Sequence, residues 1–156
     1  MWISHIPVPV EINASAHADD DFSNNKSIAE LTDWNIYSPV WAPVSLEGQW
    51  LKLQDKDPFD YAKVERKIPA SKELKVSFDL KAGQNDKGTL QIEFLDENGI
   101  ACSRMELTDD GIFRMKGGSR FANMMKYEAG KVYHVEAVLS TADRNIQVLS
   151  LIHISE

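Results

Sequence analysis

The segment "KELKVSFDLKAG", residues 72–83, constrains the fold more than any other. Leu74, Val76, Phe78 and Leu80 alternate with Lys75, Ser77 and Asp79, the pattern of a strand with one buried face. The next segment repeats it, with Leu90, Ile92 and Phe94 alternating with Gln91 and Glu93. Between them "GQNDKG" is rich in residues that tolerate positive φ, so the two strands are expected to pair as a hairpin.

Further strands follow at the spacing of an antiparallel sandwich: residues 100–107 after "DENG", 112–116 after "DDG", 120–127, and 131–140 after "EAG". In the last of these Tyr133, Val135, Ala137 and Leu139 are expected to face the core. Upstream, "SPVWAPVSLEG", "QWLKLQD" and "YAKVERKI" also read as strands, whereas "SNNKSIAELTD" is the one candidate helical turn, with Ser23 or Asn25 near its cap. "MKGGSR" reads as a hairpin turn, and Met124 and Met125 as core or edge fillers. The expected fold is therefore all-β, an antiparallel β-sandwich.

Composition narrows the function. The chain has 156 residues, enough for one sizeable core, and carries 17 Lys+Arg against 24 Asp+Glu, a balance of −7. That balance, with no basic cluster beyond Lys63, Arg66 and Lys67, argues against nucleic acid as a partner. No stretch is long and apolar enough for a spanning helix. Cys102 is the only cysteine, which excludes an intramolecular disulfide. In "GIACSRMEL" it reads as a small buried hydrophobe. There is no G-x-S-x-G elbow, no phosphate-cradling glycine loop and no His-Glu-x-x-His pattern.

Two ends read differently from the middle. "MWISHIPVPVEI" carries Pro7 and Pro9, which suit an edge or an exit from a preceding domain. The last eight residues, "LSLIHISE", resemble the translation of a transposase adapter used to prepare sequencing libraries. Leu149–Glu156 are therefore expected to be a non-native tail, with the natural chain running on past Val148 and the sandwich short of its closing strands. His153 is accordingly set aside as a ligand or base. The expected layout is residues 1–18 as a propeller end or linker, 19–148 as the sandwich, and 149–156 as the tail.

The order of "MWISHIPVPVE", "DDDF", "DWNIYSPVWAPV", "LKLQDKDPFDYAKVERKIP" and "VSFDLKAGQNDKGTLQIEFLDENG" resembles a junction found in large secreted bacterial proteins. There, a sialidase-like BNR-repeat propeller precedes a concanavalin-like, laminin-G-like jelly-roll sandwich. The resemblance implies a carbohydrate-degrading context, with catalytic residues in a propeller that this chain does not contain. It further implies a periplasmic or extracellular parent protein, a glycosidase or polysaccharide lyase, and that propeller as the partner in the same chain.

Within this context two groups of residues are candidates. Trp34, Tyr37, Trp41 and Trp50 crowd between positions 34 and 50, and a flat ring covers the C–H face of a pyranose while polar neighbours fix its hydroxyls. The favoured reading of the same residues is core or interdomain packing, since a small sandwich needs large core residues. Asp55, Asp57 and Asp60 in "DKDPFD" suit a calcium site, since hard cations take several carboxylate oxygens from loops and concanavalin-like domains carry such ions. They also suit a plain turn, with Pro58 fixing φ and the aspartates bonding nearby N–H groups. No other cofactor is implied.

The expected function is a non-catalytic accessory domain that packs on a catalytic propeller and contacts polysaccharide. An independent carbohydrate-binding module is the alternative. A concanavalin-like glycoside hydrolase is a further one, with Glu93 and Asp96 or Glu106 and Asp109 as the nearest carboxylate pairs.

Overall fold

The computed structural model describes residues 18–117, 119–140 and 145–154. The expected propeller end at residues 1–18 lies, except for Ala18, outside the described residues. The chain divides into two compact units, Met1–Pro69 and Ala70–Glu156.

The second unit is an antiparallel sandwich. One sheet holds β5 (Glu73–Lys81), β10 (Val132–Ser140) and β11 (Asn145–Ile154), with β10 in the middle. The other is a meander of β6 (Leu90–Leu95), β7 (Ala101–Leu107), β8 (Ile112–Gly117) and β9 (Arg120–Lys126). Alternation dictates which residues meet between the sheets. Tyr133, Val135 and Ala137 of β10 join Met105, Leu107 and Phe113 in one buried cluster, against which Phe78, Leu80, Leu90 and Ile92 also pack. Tyr133, Val135, Ala137 and Leu139 are all buried, as their spacing predicts.

Two polar anchors sit at the edge of this cluster. The buried Tyr127 hydroxyl donates to the Thr108 carbonyl at 2.6 Å, and the Glu128 N–H donates to the Tyr133 hydroxyl at 2.9 Å. Each lets a large ring be buried without orphaning its oxygen. The β7–β8 turn is held by Thr108, whose Oγ1 accepts from the Ile112 N–H at 3.1 Å. Gly111 completes it at φ 76°, where the missing Cβ removes strain.

The expected β5–β6 hairpin does not form. β5 pairs with β10, from Leu80↔Tyr133 to Leu74↔Leu139, while β6 pairs with β7, from Leu90↔Leu107 to Phe94↔Ser103. Alternation shows that each strand has one buried face, and a sandwich needs such a face from both sheets. Residues 82–89 therefore cross from one sheet to the other, tied down where the Gly130 N–H donates to the Ala82 carbonyl at 2.8 Å.

Cys102 is also a correction: its side chain is exposed. Buried Ser103, Met105 and Leu107 set the inward parity of β7, so Cys102, Arg104 and Glu106 point away from the core. Met124 and Met125 part company for a related reason. A register shift between Phe113 and Arg114 leaves Met125 opposite Phe113 and packed on the core, with Met124 exposed as the extra residue.

Along β11 the backbone pairs with β10 from Ser140↔Asn145 to Val132↔Ile154. A register shift opposite Glu136 and Ala137 leaves Leu149 between Val148 and Ser150 without a partner of its own. The stretch that resembles the adapter translation thus begins at the bulge and forms the far half of the strand.

The first unit contains two small sheets. β1 (Trp34–Tyr37) pairs with β4 (Lys63–Arg66), and β2 (Val44–Glu47) pairs with β3 (Trp50–Leu53) through a two-residue turn. Gly48 takes the first turn position at φ 61°, as a type II′ hairpin requires. The helical turn is a short 3-10 segment, Ile28–Glu30, capped by Ser27 rather than Ser23 or Asn25, and without a side-chain cap bond. Glu30 instead reaches back to the Lys26 N–H at 2.9 Å. Among the described residues of this unit, Leu31, Ala42 and Val44 are the buried apolar ones.

Two outcomes check this arrangement. Met105 is fully buried, so Met105→Ala should lower the unfolding free energy by about 2–5 kcal/mol in urea titration. Cys102→Ser should change it by no more than about 0.5 kcal/mol, and the native thiol should react with a thiol-labelling reagent without denaturant.

Candidate functional site

Four exposed aromatic side chains of the first unit, Tyr37, Trp41, Phe59 and Tyr61, are tied to or next to the turn at residues 55–60. The β2–β3 register continues past the strands, with the Gln54 N–H donating to the Pro43 carbonyl at 3.0 Å and the Lys56 N–H to the Trp41 carbonyl at 2.9 Å. This sets Trp41 beside the 55–60 turn. From the other sheet, Tyr37 ends β1 and its hydroxyl donates to Asp60 Oδ1 at 3.1 Å. Its ring lies against Tyr61, centroids 5.4 Å apart. Trp41 is 66% exposed and Phe59 89%, with Tyr37 and Tyr61 each about half exposed. The paired Tyr37 and Tyr61 rings beside the fixed Asp60 carboxylate, with exposed Trp41 and Phe59 attached to the same turn through their backbones, are termed the aromatic ledge.

Of the four aromatic candidates, only Tyr37 and Trp41 are tied to the 55–60 turn, Tyr37 through its hydroxyl and Trp41 through its backbone carbonyl. Trp34 is on the opposite face of β1, half-buried against Phe22 with ring centroids 5.9 Å apart. Its indole N–H is the one buried side-chain polar atom without a hydrogen-bond partner among the described residues. Trp50 stands opposite Glu47, six residues along the hairpin from Trp41, which at strand rise is roughly 20 Å away. Phe59 and Tyr61 were not singled out from the sequence. The cue was available, since alternation in "YAKVERK" puts Tyr61 on the face opposite the half-buried Ala62 and Val64.

The three aspartates have local work. Asp55 Oδ1 accepts from the Asp57 N–H, and Asp57 Oδ1 from the Phe59 N–H, each at 2.9 Å. Asp60 Oδ1 accepts from the Tyr61 N–H at 2.9 Å as well as from Tyr37. Among the described residues no three acidic, histidine or cysteine side chains converge on a point where a cation could sit. The Asp60 hydrogen bond also raises the Tyr37 pKa above 10.0. Two of the upstream aspartates are likewise occupied: Asp20 pairs with Arg66 at 2.9 Å, and Asp21 accepts from Ser23, which lowers its pKa.

Glu106 accepts from Arg114 Nε at 2.8 Å through one oxygen and from Gln91 at 3.2 Å through the other, and Glu93 holds Arg104. Neither carboxylate is free to face a glycosidic bond. On the outward face of the other sheet, Ser77 Oγ lies 3.3 Å from His134 Nε2, and His134 Nδ1 lies 2.6 Å from Asp79 Oδ1. The order of contacts is that of a Ser-His-Asp relay. However, Ser77 sits mid-strand in a regular ladder rather than on a sharp turn, and Glu136 competes for the same ring nitrogen at 3.6 Å. The cluster is a charged surface row.

A family model described as "Sialidase-like, CBM domain" matches residues 34–151. The chain belongs to the sialidase-like CBM domain family. A solved structure named "Sialidase" is 85% identical to it, with a TM-score of 0.88 over 96% of this chain. The chain spans 14% of the length of that protein. No curated protein matches the chain. The family match begins at Trp34, so it takes in the aromatic ledge, the sandwich and the start of the far half of β11.

His134 provides a check on the side-chain geometry. Its pKa is raised above 6.5, chiefly by the Asp79 hydrogen bond and further by Glu136, against an opposing effect of burial. A raised folded-state value means the contribution to stability is complete below about pH 6.5 and is lost as pH rises through the folded value. The ring should titrate above 6.5 by NMR, and Asp79→Asn should bring the midpoint down.

Proposed function

We propose that this chain is a non-catalytic accessory β-domain that binds glycan for a sialidase-type or related propeller enzyme. The observation that carries the reading is the ledge: Tyr37 and Tyr61 paired beside the fixed Asp60 carboxylate, with exposed Trp41 and Phe59 on the same turn. Contiguous exposed aromatics mark an interaction site, and a carboxylate at the edge of a ring accepts hydroxyl hydrogen bonds from a sugar stacked on that ring. The family is named for carbohydrate binding, and the similar solved protein is named for an enzyme that is far longer than this chain.

In this reading the chemistry belongs to a propeller elsewhere in the parent chain, the sandwich packs against it, and the parent protein works in the periplasm or outside the cell. The order of motifs along the sequence supports that assignment. A free-standing carbohydrate-binding module is the second reading, favoured by the ledge being open to solvent in this chain by itself. The two separate on whether the isolated chain binds glycan with useful affinity or only in the company of the propeller.

Substitution tests the ledge directly. Trp41→Ala should weaken binding in affinity electrophoresis against a panel of glycans by roughly tenfold or more, with an unchanged unfolding midpoint. Trp34→Ala should act the other way, lowering stability by roughly 2–3 kcal/mol through lost packing on Phe22 while the ledge stays intact. Undiminished binding by Trp41→Ala would sink the proposal.

A further inference from the structure

The outward face of the β6-β7-β8-β9 sheet differs from a solvated polar face. Pairing sets two cross-strand rows there: Gln91, Glu106, Arg114 and Asn123 in one, and Glu93, Arg104, Lys116 and Phe121 in the other. Glu106 is only 3% exposed although it points away from the core. Arg114 covers it at 2.7 Å and Arg104 approaches at 3.7 Å, while Arg104 is also held by Glu93. Such a network fixes the rotamers of both guanidinium groups.

Lys116 is treated differently. Among the described residues it has no carboxylate within ion-pair distance, and its ammonium lies 5.6 Å from the centre of the half-exposed Phe121 ring. A ring face holds a cation in place without neutralising it. Arg114 covers the same ring at 4.2 Å. Beside Lys116 lies an open recess of about 170 Å³, lined by Ala101, Cys102, Ser103, Arg104 and Lys116. That volume is below what a whole ligand pocket needs and suits one terminal group.

We infer that this recess is a second glycan subsite, which takes the anionic group of an acidic saccharide on Lys116 with the adjoining sugar lying along Phe121. Charge complementarity supplies the argument: the two rows leave Lys116 as surplus positive charge in a chain whose balance is −7. An ammonium offers three donors to a carboxylate or sulfate, whereas the neighbouring Arg104 is already paired with Glu93. Partial burial makes the contact stronger than at an open surface, and salt weakens it. The inference rests on the glycan-binding reading but on different residues, in the other compact unit.

The test uses three ligands on one scaffold: lactose, 3′-sialyllactose and lactose 3′-sulfate, titrated by NMR with the amide signals of Arg104, Lys116 and Phe121 followed. Wild-type protein should bind at least one of the two acidic ligands more tightly than lactose, with shifts at those amides. Lys116→Met, which keeps the stem and removes the charge, should weaken that binding about tenfold and leave lactose unaffected. Loss with the sialyl ligand assigns a carboxylate, and loss with the sulfate assigns a sulfate ester. Equal binding of all three ligands, or unaltered acidic-ligand binding by Lys116→Met, overturns the inference. Trp41→Ala is the separating arm: if it leaves all binding intact while Lys116→Met removes the acidic preference, the ledge reading fails and the subsite stands.

Discussion

The burial of alternate residues from β10 against alternate residues from β7 and β8 determines what the rest of the second unit can do. Val135 and Met105 are both fully buried, and Tyr133, Leu107 and Phe113 close the space around them. Apolar surface removed from water stabilises at about 25 cal/mol per Å², and this cluster holds most of the buried apolar side chains described in the unit. A one-residue slip of either strand would turn its whole apolar set outward, so this contact also fixes register. The Tyr127 and Tyr133 hydroxyls reinforce it, because each ring can be buried only in the one position where its oxygen finds a backbone partner.

Once the inward set is fixed, the outward sets follow without further choice. Parity alone places Glu93 beside Arg104 and Glu106 beside Arg114, and the same parity stands Lys116 next to Phe121. The near-complete burial of Glu106 is tolerable only because each of its oxygens has donors. On the other sheet the outward pairing of Asp79 with His134 has the same origin. The rigid core therefore acts as a template for polar rows on both outer surfaces.

Local and nonlocal information differ sharply in how readable they are. Tyr133, Val135, Ala137 and Leu139 were legible because alternation is a property of consecutive residues. The exposure of Cys102 was legible in the same way, since Met105 and Leu107 fix the parity of its strand, yet the apolar character of cysteine suggested the opposite. The partner of β5 was not legible at all, because a buried face says nothing about which sheet supplies its neighbour. Trp34 and Trp41 are close in sequence and alike in chemistry. What separates them is that Trp34 finds Phe22 on the half-buried face of β1 while Trp41 falls in the loop beyond.

The 55–60 turn shows how an apolar ledge can be held open. Three carboxylates accepting backbone N–H groups stiffen a segment that would otherwise be free to fold Phe59 and Tyr61 inward. Asp60 does more than that, because its second donor is the Tyr37 hydroxyl, which crosses from β1 and locks the two tyrosine rings side by side. Large rings left in water are unfavourable for the free domain, so a rigid scaffold is needed to keep them presented. The residues that resemble a metal site in the sequence thus act on the neighbouring aromatics, and the rigidity they impose lowers the ordering cost of any contact made there.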